Sequence, residues 1–427
     1  PALRKSAQDL ADLLVQQQQS NYLTNTWERK VRWLKARNHW LNDPATAKLP
    51  LGEPTPKSAQ WHTVAHPTSE NRGKGWPAAS WQVERGKAAF HTGQAADSLY
   101  FQSPLTGNFE VNCRRTTNGW REIRLQYAAL AWDVNHDGLA LWRVPLQRGW
   151  TRIDFPGKVD KWGGTCDFRL KVHDGVQTIS INGKEMYSET LPEHPDPWLS
   201  IQAHAGHYTG SVENLRITGS PKIPDSVLIT AAPDLLPWRS DYYGDTIDAE
   251  GALWTRNGHE IIGNLLPNAP GSQHESVLHY HRPLIEDGEI EYEFFYEHGK
   301  TEVHPALDRA VFLLSPDGVK VHYLTDGAFE RNGLKPDNGE PLQGAATELA
   351  LRESAWNHLK LAIKGDKATL ILNGKEIGSY AIESTNQRLF GLFRYSDATA
   401  ARVRIVKHRG DWPKKLPVLK EQVLAQP

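Results

Sequence analysis

The 427-residue chain is poor in sulfur: it has two cysteines, Cys113 and Cys166, and a single methionine, Met186. Two cysteines make neither a disulfide scaffold nor a zinc site. Both fall in stretches that read as strands, so one bridge and two buried free thiols both stay open, the thiols being the plainer reading. An excess of charge is missing too. Lys and Arg (49) almost cancel Asp and Glu (50), which leaves no global field to draw in DNA, RNA or an anionic membrane. No apolar run is long enough to cross a bilayer, and no signal-peptide pattern opens the chain. The sequence starts at Pro1 without an initiating methionine, so the expectation is a processed or excised piece, which leaves an export signal open.

What the chain does have is length, tryptophan and turn residues. Its length predicts two or three domains, each with its own core. Of 16 tryptophans, twelve lie at or before Trp198. Aromatic faces stack on sugar rings, and they also fill sandwich cores, so the enrichment raises a carbohydrate expectation without settling it. Leu10, Leu13, Leu14, Leu23, Trp27, Val31 and Leu34 recur at helical spacing among Gln, Lys, Arg and Glu, which predicts helix over residues 3–42. That stripe needs a partner, either the domain behind it or another protein. From about residue 46 the texture changes to short runs of Val, Ile, Phe, Tyr and Trp punctuated by Pro and Gly, which predicts antiparallel β architecture.

An internal repeat organises the rest. Residues 168–185 read FRLKVHDGVQTISINGKE and residues 359–376 read LKLAIKGDKATLILNGKE, a constant offset of 191. Phe168, Leu170 and Val172 match Leu359, Leu361 and Ile363 on what would be an inward face. Asn182-Gly183 and Asn373-Gly374 supply residues that tolerate positive φ in a hairpin turn. Upstream, Gly107 to Val111 parallels Gly288 to Tyr292; downstream, Val212 to Ile217 parallels Ala401 to Ile405. The expected organisation is an N-terminal helical segment (1–45), a first β-sandwich (46–222), a second (223–413) and a tail (414–427).

This succession of a glycine, alternating hairpins, Asn-Gly-Lys-Glu and a final strand resembles the concanavalin A-like lectin/glucanase superfamily, and looks like the laminin-G-like sandwiches of planctomycete bacteria. The second copy, ending in Arg409-Gly410-Asp411-Trp412-Pro413, is similar to a planctomycete family of unknown function. The resemblance implies a mainly β fold of two tandem jelly-rolls, each with a concave face of the kind that binds glycans, and a periplasmic or extracellular setting. Relatives in the superfamily include sugar-binding modules, endoglucanases and enzymes that cleave 3-keto-disaccharides, so the resemblance specifies fold better than chemistry.

Several residue groups could carry chemistry. Glu289, Glu291 and Glu293 alternate with Ile290, Tyr292 and Phe294 and so share one strand face. Neighbours on such a face are about 7 Å apart, near the spacing of a glycosidase pair, which makes Glu291 and Glu293 the catalytic candidates. The plainer reading is a solvated strand face. Asp133, Asn135 and Asp137 fit the start of a calcium loop, but the twelfth position is Val144 where that loop needs Glu, and a polar turn is the plainer reading. His279 with His281, and His204 with His207, are spaced for metal but lack an obvious third ligand. A glycan-binding face is expected from Trp120, Tyr127, Trp132 and Trp142 in the first copy and from Arg309, His322, Tyr323, Asp326, Arg394 and Tyr395 in the second.

The sequence therefore predicts carbohydrate recognition in polysaccharide binding or processing. The alternatives are a glycoside hydrolase or 3-keto-glycoside-cleaving enzyme working in the second sandwich, and a structural or assembly module. A glycan is the expected partner, with a protein partner for the N-terminal helix. No nucleic acid, membrane span or obligatory cofactor is expected, and calcium is the one metal to consider.

Overall fold

The computed structural model describes residues 61–64, 80–84, 87–92, 98–116, 123–135, 138–143, 153–154, 165–203, 210–229, 235–242, 254–265, 276–324, 338–383, 386–394 and 399–416. The helix expected over residues 3–42 lies outside them. No helix among the described residues is long and apolar enough to cross a membrane.

The described strands form four sheets. In spatial order, the first contains Trp61–Val64, Ser98–Phe101, Ser200–Ala203, Ile123–Tyr127, Leu130–Asn135, Gly138–Arg143 and Ile153–Asp154. The second contains Lys184–Thr190, Val176–Ile181, Thr165–His173, Thr106–Thr116, Ser211–Lys222, Lys87–Thr92 and Ser80–Glu84. The third contains Lys375–Ala381, Lys367–Leu372, Ala355–Lys364, Gly288–Tyr296, Ala401–Gly410, Glu260–Gly263 and Trp254–Asn257, with Val227–Leu228 added beside Ala401–Gly410. The fourth contains Trp238–Tyr242, Ser276–Tyr280, Phe390–Arg394, His304–Leu307, Ala310–Ser315, Gly318–Tyr323 and Glu340–Pro341. Sheets one and four therefore share one strand order, and sheets two and three share another.

Period-two alternation builds the cores. Phe168, Leu170 and Val172 point inward in the second sheet and join Leu125, Tyr127 and Trp132 of the first in one apolar cluster. Leu359, Leu361 and Ile363 do the same in the third sheet against Leu278, Phe312 and Phe390 of the fourth. Tyr100 and Trp198, from the first pair of sheets, belong to this second cluster, so the two pairs meet across shared apolar surface.

Local backbone details recur at matching places. The Asn-Gly hairpins sit at φ 50° and 80° for Asn182 and Gly183, and at 50° and 83° for Asn373 and Gly374. Each asparagine also ties its turn to the next strand: the Asp167 amide donates to Asn182 Oδ1, and the His358 amide to Asn373 Oδ1, both at 2.9 Å. Strand Ser211–Lys222 shifts register between Glu213 and Arg216, where Asn214 has φ 52°. Its counterpart Ala401–Gly410 shifts opposite Glu291 and Glu293, where Ile405 has φ 55°.

Candidate functional site

The carboxylate ladder lies on strand Gly288–Tyr296, in the middle of the third sheet. Ile290, Tyr292 and Phe294 are buried, and Glu289, Glu291 and Glu293 face outward. Neighbouring strands supply a cation for each carboxylate. Glu289 meets Lys360 Nζ at 2.9 Å and Arg409 at 3.2 Å; Glu291 meets His358 at 3.5 Å and Lys360 at 3.8 Å; Glu293 meets Arg404 at 2.6 Å. Burial would raise the Glu289 carboxyl, but the bonds and charges of Lys360 and Arg409 outweigh it and hold the group below its ordinary range. The arrangement is a cross-strand ion-pair lattice.

The aromatic and polar residues expected to line a glycan face go to different places. Tyr127 and Trp132 are buried in the first core, with the Tyr127 hydroxyl donating to the Leu105 carbonyl at 2.8 Å, so neither offers a ring face to solvent. Arg394 is equally buried. Its guanidinium donates to Ser276 Oγ and to the Asn264 and Thr399 carbonyls, and lies 5.1 Å from the centre of the Trp254 ring, as a strut at the end of the core. Tyr323 packs on the second core and pairs its hydroxyl with that of Tyr380 at 3.2 Å. Arg309 is half-buried in the two-residue turn before Ala310. Of this set His322 lies on the outer face of its sheet, against Phe393. Trp142 pairs with Ala131 in the first sheet. Trp120, Asp326, Tyr395, His204 and His207 lie outside the described residues, as does Asp137 of the proposed calcium loop. Asn135 pairs with Gly138 across that hairpin, and Asp133 with Ala140.

A different set of side chains comes together on the outer face of the first sheet. Register places Tyr100, Ser200, Gln126 and Ala131 in one row, and Ser98, Gln202 and Arg124 in the next. All six polar side chains point away from the core and are buried all the same. Arg124 reaches Gln202 Oε1 at 3.4 Å. Gln126 Oε1 and Ser200 Oγ have no hydrogen-bond partner. The matching rows of the fourth sheet carry His279, Gly391 and Ala306, then Val277, Phe393 and His304. There a Cβ on Gly391 would come within 2.8 Å of His279, so the glycine makes room for the imidazole.

A buried network between the two pairs of sheets lies over the first row of the polar patch, since Tyr100 and Gln126, on either side of Ser200, both reach His281. Asp196 accepts from the Tyr280 hydroxyl at 2.5 Å and pairs with His281 Nε2 at 2.9 Å. With Nε2 so engaged, His281 Nδ1 accepts from the Tyr100 hydroxyl at 2.9 Å and faces the Gln126 amide at 3.4 Å. Trp198 Nε1 donates to Tyr280 at 2.8 Å. The Arg282 guanidinium stacks 3.3 Å from the Trp198 ring centre and forks onto Glu286 at 3.0 and 2.8 Å. His408 completes the chain, 3.2 Å from Glu286. Burial pushes His408 down to about 4, with Arg282 adding to the fall and Glu286 opposing it; burial, with His322 nearby, takes His304 to about 4 as well.

A family model described as a domain of unknown function (DUF1583_N) matches residues 269–415, and one described as a protein of unknown function (DUF1581) matches residues 169–256. The second stretch crosses from one pair of sheets to the other and holds Asp196 and Trp198; the first holds Tyr280, His281, Arg282, Glu286 and His408. No curated protein matches the chain. Among solved structures, it is similar to the carbohydrate binding module CBM66 from Bacillus subtilis, with 16% identity over 40% of this chain and 94% of that chain at a TM-score of 0.27. It is also similar to alginate lyase A1-II', a member of polysaccharide lyase family 7, with 13% identity over 38% and 96% at a TM-score of 0.26. The Emp47p carbohydrate recognition domain gives 12% identity over 38% and 89% at a TM-score of 0.25. Likenesses this distant leave function to be argued from the residues of the chain itself.

Among the described residues, no group of three or more His, Cys, Asp or Glu is placed to hold a metal ion. Sequence reasoning missed the polar patch and the buried network. The patch had a signal, since Gln126 adjoins Tyr127 and Ala131 adjoins Trp132; each neighbour lies on the opposite face of its strand. The network had none, because it joins residues 100, 126, 196, 281 and 408, which only the packing of the two pairs brings together.

Proposed function

We propose that the protein recognises carbohydrate, and that each pair of sheets is a jelly-roll of the concanavalin A-like type. On this reading the two units span residues 46–222 and 223–413 and descend from one ancestor by duplication. The shared strand orders, matching Asn-Gly turns and matching register shifts support that descent.

The observation that carries the recognition is the pair Gln126 and Ser200. Buried polar atoms nearly always find a partner, and an unexplained orphan calls for a missing water or ligand. A sugar hydroxyl both donates and accepts, which suits an amide oxygen beside a serine hydroxyl. Arg124 and Gln202 add planar hydrogen-bonding groups in the next row. The row runs on through Ala131 to the strand position of Trp142. Hydrolysis by Glu291 and Glu293 has less support, because both carboxylates are ion-paired on the outer face of a different sheet.

A second reading is favoured by the buried network: the patch is a seam, its orphan atoms satisfied by enclosed water, and the molecule is a rigid two-part structural module. Glycan-array screening of the wild type and Gln126→Leu separates the two. Recognition predicts array hits that weaken at least tenfold in the folded variant. No hits with the wild type, or equal hits with the variant, would leave the seam reading standing.

A further inference from the structure

The outer face of the third sheet holds three features that its ion pairs do not explain. Ile405 is a β-branched residue at φ 55°, and 49% of it is exposed. The left-handed region costs such a residue about 1–2 kcal/mol. At the corresponding bulge of the second sheet stands Asn214, a residue type that tolerates its φ of 52°. The second copy thus accepts strain and places an apolar side chain in solvent. Strain of this kind is a pointer to function.

On the same sheet face, Trp356 and Phe295 pack edge to face with ring centres 5.7 Å apart, both half-buried. Arg404 lies 4.0 Å from the Trp356 ring centre; Arg402 lies 5.2 Å from it and 5.0 Å from that of Phe295. The charge balance is the third feature. Glu260, Glu289, Glu291 and Glu293 are each already paired, Glu260 to both ends of the Arg402 fork. Against these four stand five cations, Lys360, Arg402, Arg404, Lys407 and Arg409, with Lys407 directly opposite Glu291. Across the middle of the face the sign is positive, although the chain as a whole has a net charge of −1.

We propose that this face docks an acidic polysaccharide. The sugar C–H faces would lie on Ile405 and the aromatic pair, and the polymer carboxylates would meet Lys407 and share Arg402 and Arg404 with Glu260 and Glu293. An extended chain fits a flat, pleated surface, and the excess of cations selects an anionic one. The inference rests on the carbohydrate reading but uses a surface remote in sequence from the Gln126 patch.

The test is affinity electrophoresis in gels containing polygalacturonate, dextran or polyglutamate. The proteins are the wild type, Ile405→Asn and Trp356→Leu. Polygalacturonate should retard the wild type, and the two variants at least tenfold less. Ile405→Asn should melt no lower than the wild type, because asparagine relieves the backbone. Dextran and polyglutamate should retard none of them. Failure of polygalacturonate to retard the wild type, full retardation of Ile405→Asn, or equal retardation by polyglutamate would overturn the proposal. Array hits that still depend on Gln126 would in that case leave the first reading intact.

Discussion

Asp196 Oδ2 lies 2.9 Å from His281 Nε2, with the aspartate side chain 2% and the histidine 0% exposed. One residue belongs to the loop before strand Ser200–Ala203 and the other follows strand Ser276–Tyr280, so the pair joins the two halves of the described structure where water is excluded. Removing the carboxylate strands the buried Tyr280 hydroxyl and His281 ring nitrogen that it pairs with, at a cost of about 1–3 kcal/mol each. Asp196→Ala should therefore lower the urea midpoint sharply and separate the unfolding of the two halves. Circular dichroism and tryptophan fluorescence should give coincident curves for the wild type and divergent ones for the variant. Coincident curves at an unchanged midpoint would remove the pair from any role in joining the halves.

Acid should weaken the fold before the carboxylates titrate. His304 and His408 are held down to about 4 by burial, the largest influence on each. Unfolded histidine titrates near 6.5, so between these values the unfolded chain binds about two protons that the folded chain does not. Their contribution is full above about pH 6.5 and falls as pH drops toward 4, by about 2–3 kcal/mol per pH unit in mid-window. Urea midpoints measured from pH 7 to 4.5 should show this slope, and His304→Gln with His408→Gln should flatten it. Glu286 acts lower down. Burial would raise its carboxyl, but Arg282 and His408 outweigh that and leave it depressed, so its share persists until pH falls below the ordinary carboxylate range.

The Asn-Gly turns were legible because the residues that set a hairpin are contiguous. Asn373 does more than tolerate a φ of 50°. Its side-chain amide donates to the Ala350 carbonyl at 3.0 Å and to Asn357 Oδ1 at 2.8 Å, and its oxygen accepts the His358 amide. Asn373→Gly keeps the backbone freedom and loses the bonds; Asn373→Ala loses both. The expected costs are about 1–3 kcal/mol for glycine and about 1 kcal/mol more for alanine. Equal midpoints for the two variants would contradict the backbone share.

Cys113 and Cys166 are buried free thiols on adjacent strands. Burial, the largest influence on each, pushes both thiols above their ordinary range. Neither should react with iodoacetamide in the folded protein at pH 8, and both should react in urea. A mass two hydrogens lighter than the reduced chain, with no labelling in urea, would show a bridge instead.

The alternating strands and their inward residues could be read from spacing, because a pleated strand imposes period two on whatever sequence it carries. The candidate site was harder. Tyr127 and Trp132 drew notice as large aromatics, and size is what sends them inward; the polar patch is built from their small or plain neighbours Gln126 and Ala131 and from Ser200. Carboxylate spacing marked Glu291 and Glu293, but the side chains that pair with them come from strands 67 and 111 residues away in the chain. Contacts made across sheets leave no local pattern to read.

The most direct test of carbohydrate recognition by the Gln126 and Ser200 patch is titration calorimetry with the strongest array ligand. The wild type should give a saturable isotherm. Gln126→Leu combined with Ser200→Ala should lose at least tenfold in affinity while its melting temperature holds or rises, since the orphan atoms are gone. An unchanged isotherm for the double variant would contradict the account, as would the absence of any binding glycan for the wild type.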